Sequence, residues 1–350
     1  MVITENEKIL RMVAFFLGII VAFLVVVVLR QLRSIMLPLF VAVFLSYLLG
    51  PVVEFLTRRR FPLWLAMLIM VVIVFSVLYL LGLILYSSSN DFIQEFPKYE
   101  ARVTLMVQDV LNYFEIPLPD AKEYFETLDW KKAIQDASLP KVVSSTLGSF
   151  FNFLSKVFMV VLLSLFIIPG RRNVGKRLYR MFSEKRAKLF ENVLITINSQ
   201  VQMYLVVKTL ISLATAGLSF LVIWSFGVDF PIMWAFIIFI LNFIPTIGSI
   251  ISTIPPIIVC FVQYGFGPRV FFVALILTGI QSVMGNFIEP SFMGRSLNIS
   301  PLIVLLSLIF WGWLWGIPGM IIAVPITAAI KISCENIEPL KPIAVLISGK

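Results

Sequence analysis

Residues 231–264 read PIMWAFIIFILNFIPTIGSIISTIPPIIVCFVQY. The stretch is apolar throughout, yet Pro245-Thr-Ile-Gly248 cuts it into pieces of about 13 and 16 residues, each below the roughly 20 that span a bilayer. A half of about 13 residues at ~1.5 Å per residue covers only ~20 Å of a ~30 Å hydrocarbon core. No charged residue lies at the turn to hold it in water. A helical hairpin that enters the membrane and leaves on the same side accounts for both facts, since broken backbone is tolerated at membrane depth where protein or a cavity covers it. Residues 300–331 repeat the design around Gly316-Ile-Pro318-Gly319, again without charge at the turn. One full span, 269–288, separates the two, so the hairpins are predicted to enter from opposite faces. Pro/Gly-interrupted segments in corresponding positions of inverted halves point to a transporter's binding region. The likeness between these halves is thin: Pro245, Gly248 and Pro255 answer to Pro318, Gly319 and Pro325.

The rest of the chain fits the same class. Of its 350 residues 60% are hydrophobic and only 13% charged, and mean hydropathy is +1.00. A soluble chain averages about 45–50% apolar and about 25% charged. Full spans are predicted at 12–29, 35–56, 63–86, 150–168, 206–226 and 269–288, with Pro38 and Gly50-Pro51 interrupting the second. The expected fold is therefore an all-α integral membrane protein with about six full spans and two oppositely oriented re-entrant helical hairpins. Val13 to Leu29 resembles a signal peptide, but Arg30-Gln-Leu-Arg33 follows it in place of a cleavage site, so a retained first helix is expected.

Charge sets the predicted orientation. Arg58, Arg59 and Arg60 follow the second span, and a basic run from Arg171 to Lys188 follows the fourth. Both belong on the cytoplasmic side by the positive-inside bias, which also places the N-terminus there. The net charge of +9 reflects this topology. Four sections result: a three-span scaffold at 1–86, an extracytoplasmic helical cap at 87–149, the fourth span with a basic amphipathic helix at 150–205, and a transport region at 206–350. Within the cap, acidic residues outnumber basic ones, and Phe92, Phe96, Tyr99 and Val103 recur at helical spacing. Pro97, Pro117, Pro119 and Pro140 are expected to break it into short helices. The stripe Leu189, Val193, Ile197, Val201 and Leu205 predicts a helix along the cytoplasmic interface that then turns into the bilayer.

The composition excludes whole chemistries. Without histidine there is no Ser-His-Asp triad, HExxH zinc site or imidazole shuttle. Cys260 and Cys334 lack a CxxC partner and read as small buried hydrophobes, so neither metal nor cofactor is expected. Gly170-Arg-Arg-Asn-Val-Gly175-Lys176-Arg177 resembles a phosphate-binding loop, but Arg177 stands where Ser or Thr must reach Mg²⁺, and the preceding strand is missing. The basic run is read as topogenic, with anionic lipids as its contacts and no nucleic acid.

Polar residues at membrane depth are the remaining candidates. Between Phe230 and Ile330 only Arg269, Glu289 and Arg295 are charged. Two roles fit Glu289, which follows Gln281 and Asn286: a functional intramembrane carboxylate, or an interfacial cap paired with Arg295. Asn242, Thr246, Ser249, Ser252 and Thr253 surround the first turn, either to bind a polar solute or to satisfy freed backbone groups. Trp311, Trp313 and Trp315 alternate beside Gly312 and Gly316, fitting a cavity wall or close helix packing.

The segments Asn242-Phe-Ile-Pro245-Thr-Ile-Gly248 and Asn286-Phe-Ile-Glu289-Pro290-Ser-Phe-Met-Gly294-Arg295-Ser-Leu-Asn298-Ile-Ser-Pro301 resemble the two signatures of the autoinducer-2 exporter family of bacterial permeases. The tail Gly312-xxx-Gly316-xx-Gly319-xxxx-Val-Pro325 continues the likeness. The resemblance implies a bacterial inner-membrane homo-oligomer that moves a small solute or ion without ATP, and members are linked both to signal-molecule export and to sodium/proton antiport. The pathway candidates are then Asn242, Pro245, Thr246, Gly248, Ser249, Gln281, Asn286, Glu289, Arg295, Asn298, Pro301, Gly316, Pro318 and Gly319. A secondary transporter, not an enzyme, is the expected function; the alternative is a passive channel or pore, disfavoured because no span shows a long polar stripe. Its partners are membrane lipids and the transported species.

Cysteines introduced at Asp109 and Arg180 are expected to react with impermeant thiol reagents from opposite faces of the membrane. Labelling of both from one face would overturn this topology.

Overall fold

The computed structural model describes residues 5–113, 146–171, 174–293 and 298–349. Among these, every regular element is helical. In chain order they are α1 (Glu5–Gln31), α2 (Arg33–Arg58), α3 (Leu63–Tyr113), α4 (Thr146–Arg171), α5 (Val174–Met181), α6 (Glu184–Ser225), α7 (Pro231–Leu241), α8 (Ile247–Tyr264) and α9 (Pro268–Val283). A π-helical turn, Met284–Ile288, joins α9 to α10 (Glu289–Met293), and α11 (Pro301–Trp315), α12 (Ile317–Glu335) and α13 (Lys341–Ile347) follow.

Six described helices are long and apolar enough to cross a bilayer: α2, Leu63–Leu83 of α3, α6, α8, Pro268–Phe292 and α12. The protein is an all-α membrane protein. The predicted spans 35–56, 63–86, 206–226 and 269–288 fall on four of these six. The apolar parts of α1 and α4, Phe16–Gln31 and Ser155–Gly170, are shorter. In both Pro/Gly-interrupted segments the arms are unequal. α7 has 11 residues and α11 has 15, whereas α8 has 18 and α12 has 19, so the second arm of each pair has the length to cross by itself.

Three expected interruptions are absent. α2 runs unbroken past Pro38 and Gly50-Pro51, as helices in apolar surroundings do when local adjustments re-satisfy the freed carbonyls. α6 continues for 42 residues with no turn between its amphipathic start and its apolar end. α3 continues for 51 residues through Pro97. An interior proline costs about 3 kcal/mol or more, and distant contacts hold α3 together on the far side of it. The Tyr99 hydroxyl donates to the Asp229 carboxylate, and Arg102 donates to the carbonyl of Gln263. Burial, then the Asp229 hydrogen bond, push the Tyr99 phenol well above its ordinary range, so it stays a donor. The prolines expected to break the cap at 117, 119 and 140 lie outside the described residues.

The chain forms two compact units, each assembled from separated stretches. The first comprises Met1–Tyr47, Met159–Val201 and Asn298–Lys350. Small residues let α2 and α4 meet closely: Ala42, Ser46 and Ser164 are fully buried, and the Ser164 hydroxyl donates to the Ala42 carbonyl at 3.1 Å. Trp315, also fully buried, packs on Phe40 and Trp311, and its indole N–H donates to the Leu29 carbonyl at 3.2 Å. Arg33 in turn donates to the Trp315 carbonyl at 3.2 Å, where α11 ends and its last carbonyls lack intrahelical partners. Gly316, at φ 74°, reverses the chain there. Trp313 faces outward under the Arg30 guanidinium.

The second unit comprises Leu48–Phe158 and Gln202–Leu297. Its core gathers Ile223, Val228, Trp234, Ile238, Cys260, Val273 and Leu277 around Tyr99. Cys260 and Cys334, one in each unit, are free and buried.

The two helix pairs α7–α8 and α11–α12 close in the same way. A Cβ on Gly248 would lie 1.8 Å from the Leu241 carbonyl oxygen, and one on Gly319 would lie 2.1 Å from that of Trp311. Each glycine sits in the first turn of the second arm and lets it press on the end of the first. Gly248→Ala and Gly319→Ala are therefore each expected to cost about 1–3 kcal/mol through forced backbone shifts. Gly279→Ala, where a Cβ meets open space, is expected to leave the thermal midpoint of the detergent-purified protein unchanged or slightly raised. Equal midpoints for all three variants would refute the close-approach argument.

Candidate functional site

The site lies in the second unit and begins with one face of α6. Tyr204, Lys208, Ser212, Thr215 and Ser219 recur at steps of three and four residues, which places them on one side of the helix. All five are buried, and Lys208 is only 2% exposed. α6 thus carries the long polar stripe that no span was expected to have.

Opposite this face run α9, the π-helical turn and α10. Gln281, Gly285 and Glu289 fall four residues apart, with Ser282 and Asn286 beside them. The turn Met284–Ile288 accommodates one extra residue in the helix, a distortion frequent at functional sites. Both carboxylate oxygens of Glu289 accept from Lys208 Nζ, each at 2.7 Å. The Lys208–Glu289 pair is therefore two-pronged, and the same two helices also pack through a small apolar cluster of Val207, Ile211 and Met284, with Ile280 and Ile288 against it.

The pair forms part of the wall of a cavity of ≈ 410 Å³. Pro245 and Thr246 come from the α7–α8 turn, Ser249 and Thr253 from α8, and Thr278, Gln281, Ser282, Asn286 and Glu289 from the facing helix. Ile250, Ile254 and Ile257 supply an apolar side. Small-molecule sites run about 300–1,000 Å³ with a few placed polar groups, so the volume suits a small polar species. Among the described residues, the polar lining away from the ion pair is neutral, made of hydroxyls and amides. Three buried side-chain groups among the described residues lack a hydrogen-bond partner: the Gln281 nitrogen at the cavity, and the Tyr204 and Ser219 hydroxyls on the polar face of α6.

The α7–α8 turn is held from behind. Buried Asn242 donates through Nδ2 to Ser212 Oγ at 3.0 Å and accepts from Ser249 Oγ at 3.4 Å. Ser252 and Thr253 both donate to the Ser249 carbonyl, so their hydroxyls satisfy backbone groups. Thr246 adopts φ 61° with ψ −60°, a conformation that a β-branched residue rarely enters and that the surrounding turn must enforce.

Of the sequence candidates, Pro245, Thr246, Ser249, Gln281, Asn286 and Glu289 meet at this cavity, with Asn242 and Gly248 packed behind it. Arg295, the expected partner of Glu289, lies outside the described residues, as do Arg172 and Asn173 of the phosphate-loop-like segment. Asn298, Pro301, Gly316, Pro318 and Gly319 belong to the first unit, and none lines this cavity. There, Asn298 at φ 40° accepts through its carbonyl from Gly349 N at 3.1 Å, and Pro301 opens α11. Gly312 serves packing, since a Cβ on it would meet the Met320 side chain at 2.5 Å.

Lys208, Tyr204 and Ser212 were not among the candidates. The signal for Lys208 was nevertheless present. It is the sole charged residue between Glu191 and Asp229, and a lone lysine in an apolar span demands a partner.

Span-length apolar helices around a polar, ion-paired cavity are features of a multi-pass membrane protein that handles polar species. The sequence pattern of the AI-2E family transporter matches residues 13–338, and the chain belongs to that family. It is 32% identical over 329 residues to a protein of Haemophilus influenzae named "Putative transport protein", covering 91% of this chain and 92% of that one. It is likewise 32% identical over 331 residues to the AI-2 transport protein TqsA of Escherichia coli, covering 91% of each. The protein is a membrane transporter.

Removing either partner of the buried pair strands the other. Glu289→Ala and Lys208→Ala are each expected to cost about 3–5 kcal/mol, and the joint replacement Lys208→Met with Glu289→Leu much less. Thermal unfolding of the purified variants checks this, and strictly additive losses would show that the two side chains do not depend on each other.

Proposed function

We propose that the protein is a secondary transporter of a small solute or ion in the bacterial inner membrane, with its pathway running through the cavity beside Lys208 and Glu289. The observation that carries this reading is a two-pronged ion pair, set in apolar helices, that faces a cavity of ≈ 410 Å³. An ionisable pair in such a place is expensive to keep and marks an ion or substrate path by default. A carboxylate at the cavity wall can exchange one cation for another as the site changes faces. Among the functions implied by the family resemblance, cation/proton antiport therefore fits the cavity more directly than export of a signal molecule. The name of TqsA, an AI-2 transport protein, supports the latter as the second substrate class.

The reading also includes re-entrant insertion of α7–α8 and α11–α12, a cytoplasmic N-terminus and a homo-oligomeric assembly. Hydropathy, the basic loops and the family resemblance support these features. A passive pore is the competing mechanism, and the buried polar stripe of α6 is the feature that favours it. Its hydroxyls, however, are partly engaged: Ser212 accepts from Asn242, and Thr215 donates to the Ile211 carbonyl at 2.8 Å.

Proteoliposome flux separates these readings. Saturable, counterflow-competent uptake is expected for a transporter, and non-saturable uptake for a pore. Glu289→Gln keeps an acceptor for the Lys208 ammonium, so the protein is expected to fold and assemble while flux loses its dependence on the pH or Na⁺ gradient. Gradient-dependent flux that persists at the wild-type level in this variant would rule out Glu289 as the coupling group.

A further inference from the structure

We propose that Lys208 is the exchange partner of the transported cation: its ammonium occupies the Glu289 carboxylate in the empty site, and an incoming monovalent cation displaces it with release of one proton. The proposal rests on the reading of the cavity as an ion pathway. It assigns Lys208 a role beyond neutralising a buried charge.

Glu289 is already loaded in the empty site. Both of its oxygens accept from Lys208 Nζ at 2.7 Å, so neither is free for a second cation. Loading must therefore be a substitution. A simple departure of Lys208 would leave a bare carboxylate in apolar surroundings, which is the costly state.

Among the described residues, the groups facing the displaced ammonium offer no other anion. On α6 its neighbours are Tyr204 and Ser212; α8 presents hydroxyls, and the facing helix presents amides and hydroxyls beside Glu289. A buried ammonium next to a bound cation, with its counter-charge taken, has no compensation. One Nζ–H bond then breaks, the electron pair stays on nitrogen as a lone pair, and the proton passes to water in the cavity. One cation enters and one proton leaves, so the site is neutral before and after. A divalent ion would leave an uncompensated charge, which restricts the exchange to monovalent cations.

The neutral amine has donors to receive it. A deprotonated lysine is a hydrogen-bond acceptor, and of the three buried groups without a partner among the described residues, two are the Tyr204 hydroxyl and the Gln281 amide nitrogen. Tyr204 lies one helical turn from Lys208 on the same face, and Gln281 lines the same cavity. The displaced side chain has a partner waiting in either direction. Such unpaired donors are costly in a static core, and here they belong to the other half of the exchange.

The deciding variant is Lys208→Arg, because a guanidinium keeps the two-pronged pair but cannot lose its proton. Full-length protein is reconstituted in liposomes containing a trapped pH indicator, and NaCl, KCl or LiCl is added outside. Wild-type protein is expected to move protons against the cation without setting up a membrane potential. Lys208→Arg is expected to keep the wild-type thermal midpoint while cation-driven proton movement falls at least tenfold. A purely structural lysine predicts undiminished exchange in Lys208→Arg, and that result would overturn the proposal while leaving the ion-pathway reading intact. Should Lys208→Arg fail to fold, Lys208→Gln decides: cation uptake with proton movement reduced at least tenfold supports the assignment, and proton coupling at the wild-type ratio overturns it. Cation uptake in the wild type with no proton movement would overturn this assignment alone. The absence of both with all three salts would reject the ion-pathway reading itself, and this assignment with it.

Discussion

A carboxylate and an ammonium placed in apolar helices must neutralise each other, and much of the second unit follows from that requirement. Lys208 enters from α6 and Glu289 from the start of α10, so these two faces have to meet. Val207, Ile211 and Met284 add an apolar contact between the same helices, and the pair itself borders the cavity. Hydroxyls and amides around that opening are polar enough to wet it but carry no charge that competes for the pair. The site therefore combines one strong electrostatic contact with weak, exchangeable hydrogen-bonding partners. Such a balance suits a transporter, which must both bind and let go.

The turn between α7 and α8 meets a different constraint, the close approach of two backbones. Gly248 supplies the space, Asn242 ties the turn to Ser212 and Ser249, and Thr246 takes up the unfavourable dihedral angles. In the first unit the α11–α12 turn repeats the glycine at position 319 but not the polar tie. There an arginine, Arg33, and an indole, Trp315, clamp the helix end. The same backbone solution has thus been finished with different side chains. One pair carries polar groups to a cavity, and the other is secured by an aromatic core.

The class of fold and the two uncharged turns were legible because apolar length, proline and glycine are local signals. So were Thr246, Ser249, Gln281, Asn286 and Glu289, which meet at one cavity. Lys208 was not legible for a physical reason: its partner lies 81 residues away, and no local pattern around the helix pairs points to it. Pro97 misled in the opposite direction. A local rule ends the helix there, but the contacts of Tyr99 and Arg102 with residues 130 and 161 positions downstream override it. Likewise, α6 has an amphipathic start and an apolar end, and a change of pattern was mistaken for a change of direction.

The π-helical turn at Met284–Ile288 has a consequence for how such a chain can vary in length. A helix that accommodates one surplus residue can lose a single residue from that turn and return to regular α-geometry with everything beyond it facing the same way. Glu289 lies immediately after the turn, so such a loss would leave its carboxylate on the α6 side. The same loss from the regular stretch of α6 between Tyr204 and Ser219 would rotate everything beyond it by about 100° around the axis. The polar face of α6 would then be split, with every polar side chain still present. The two helices that join the charges therefore differ in what they tolerate: one holds a residue in reserve, and in the other the residue count is itself part of the site.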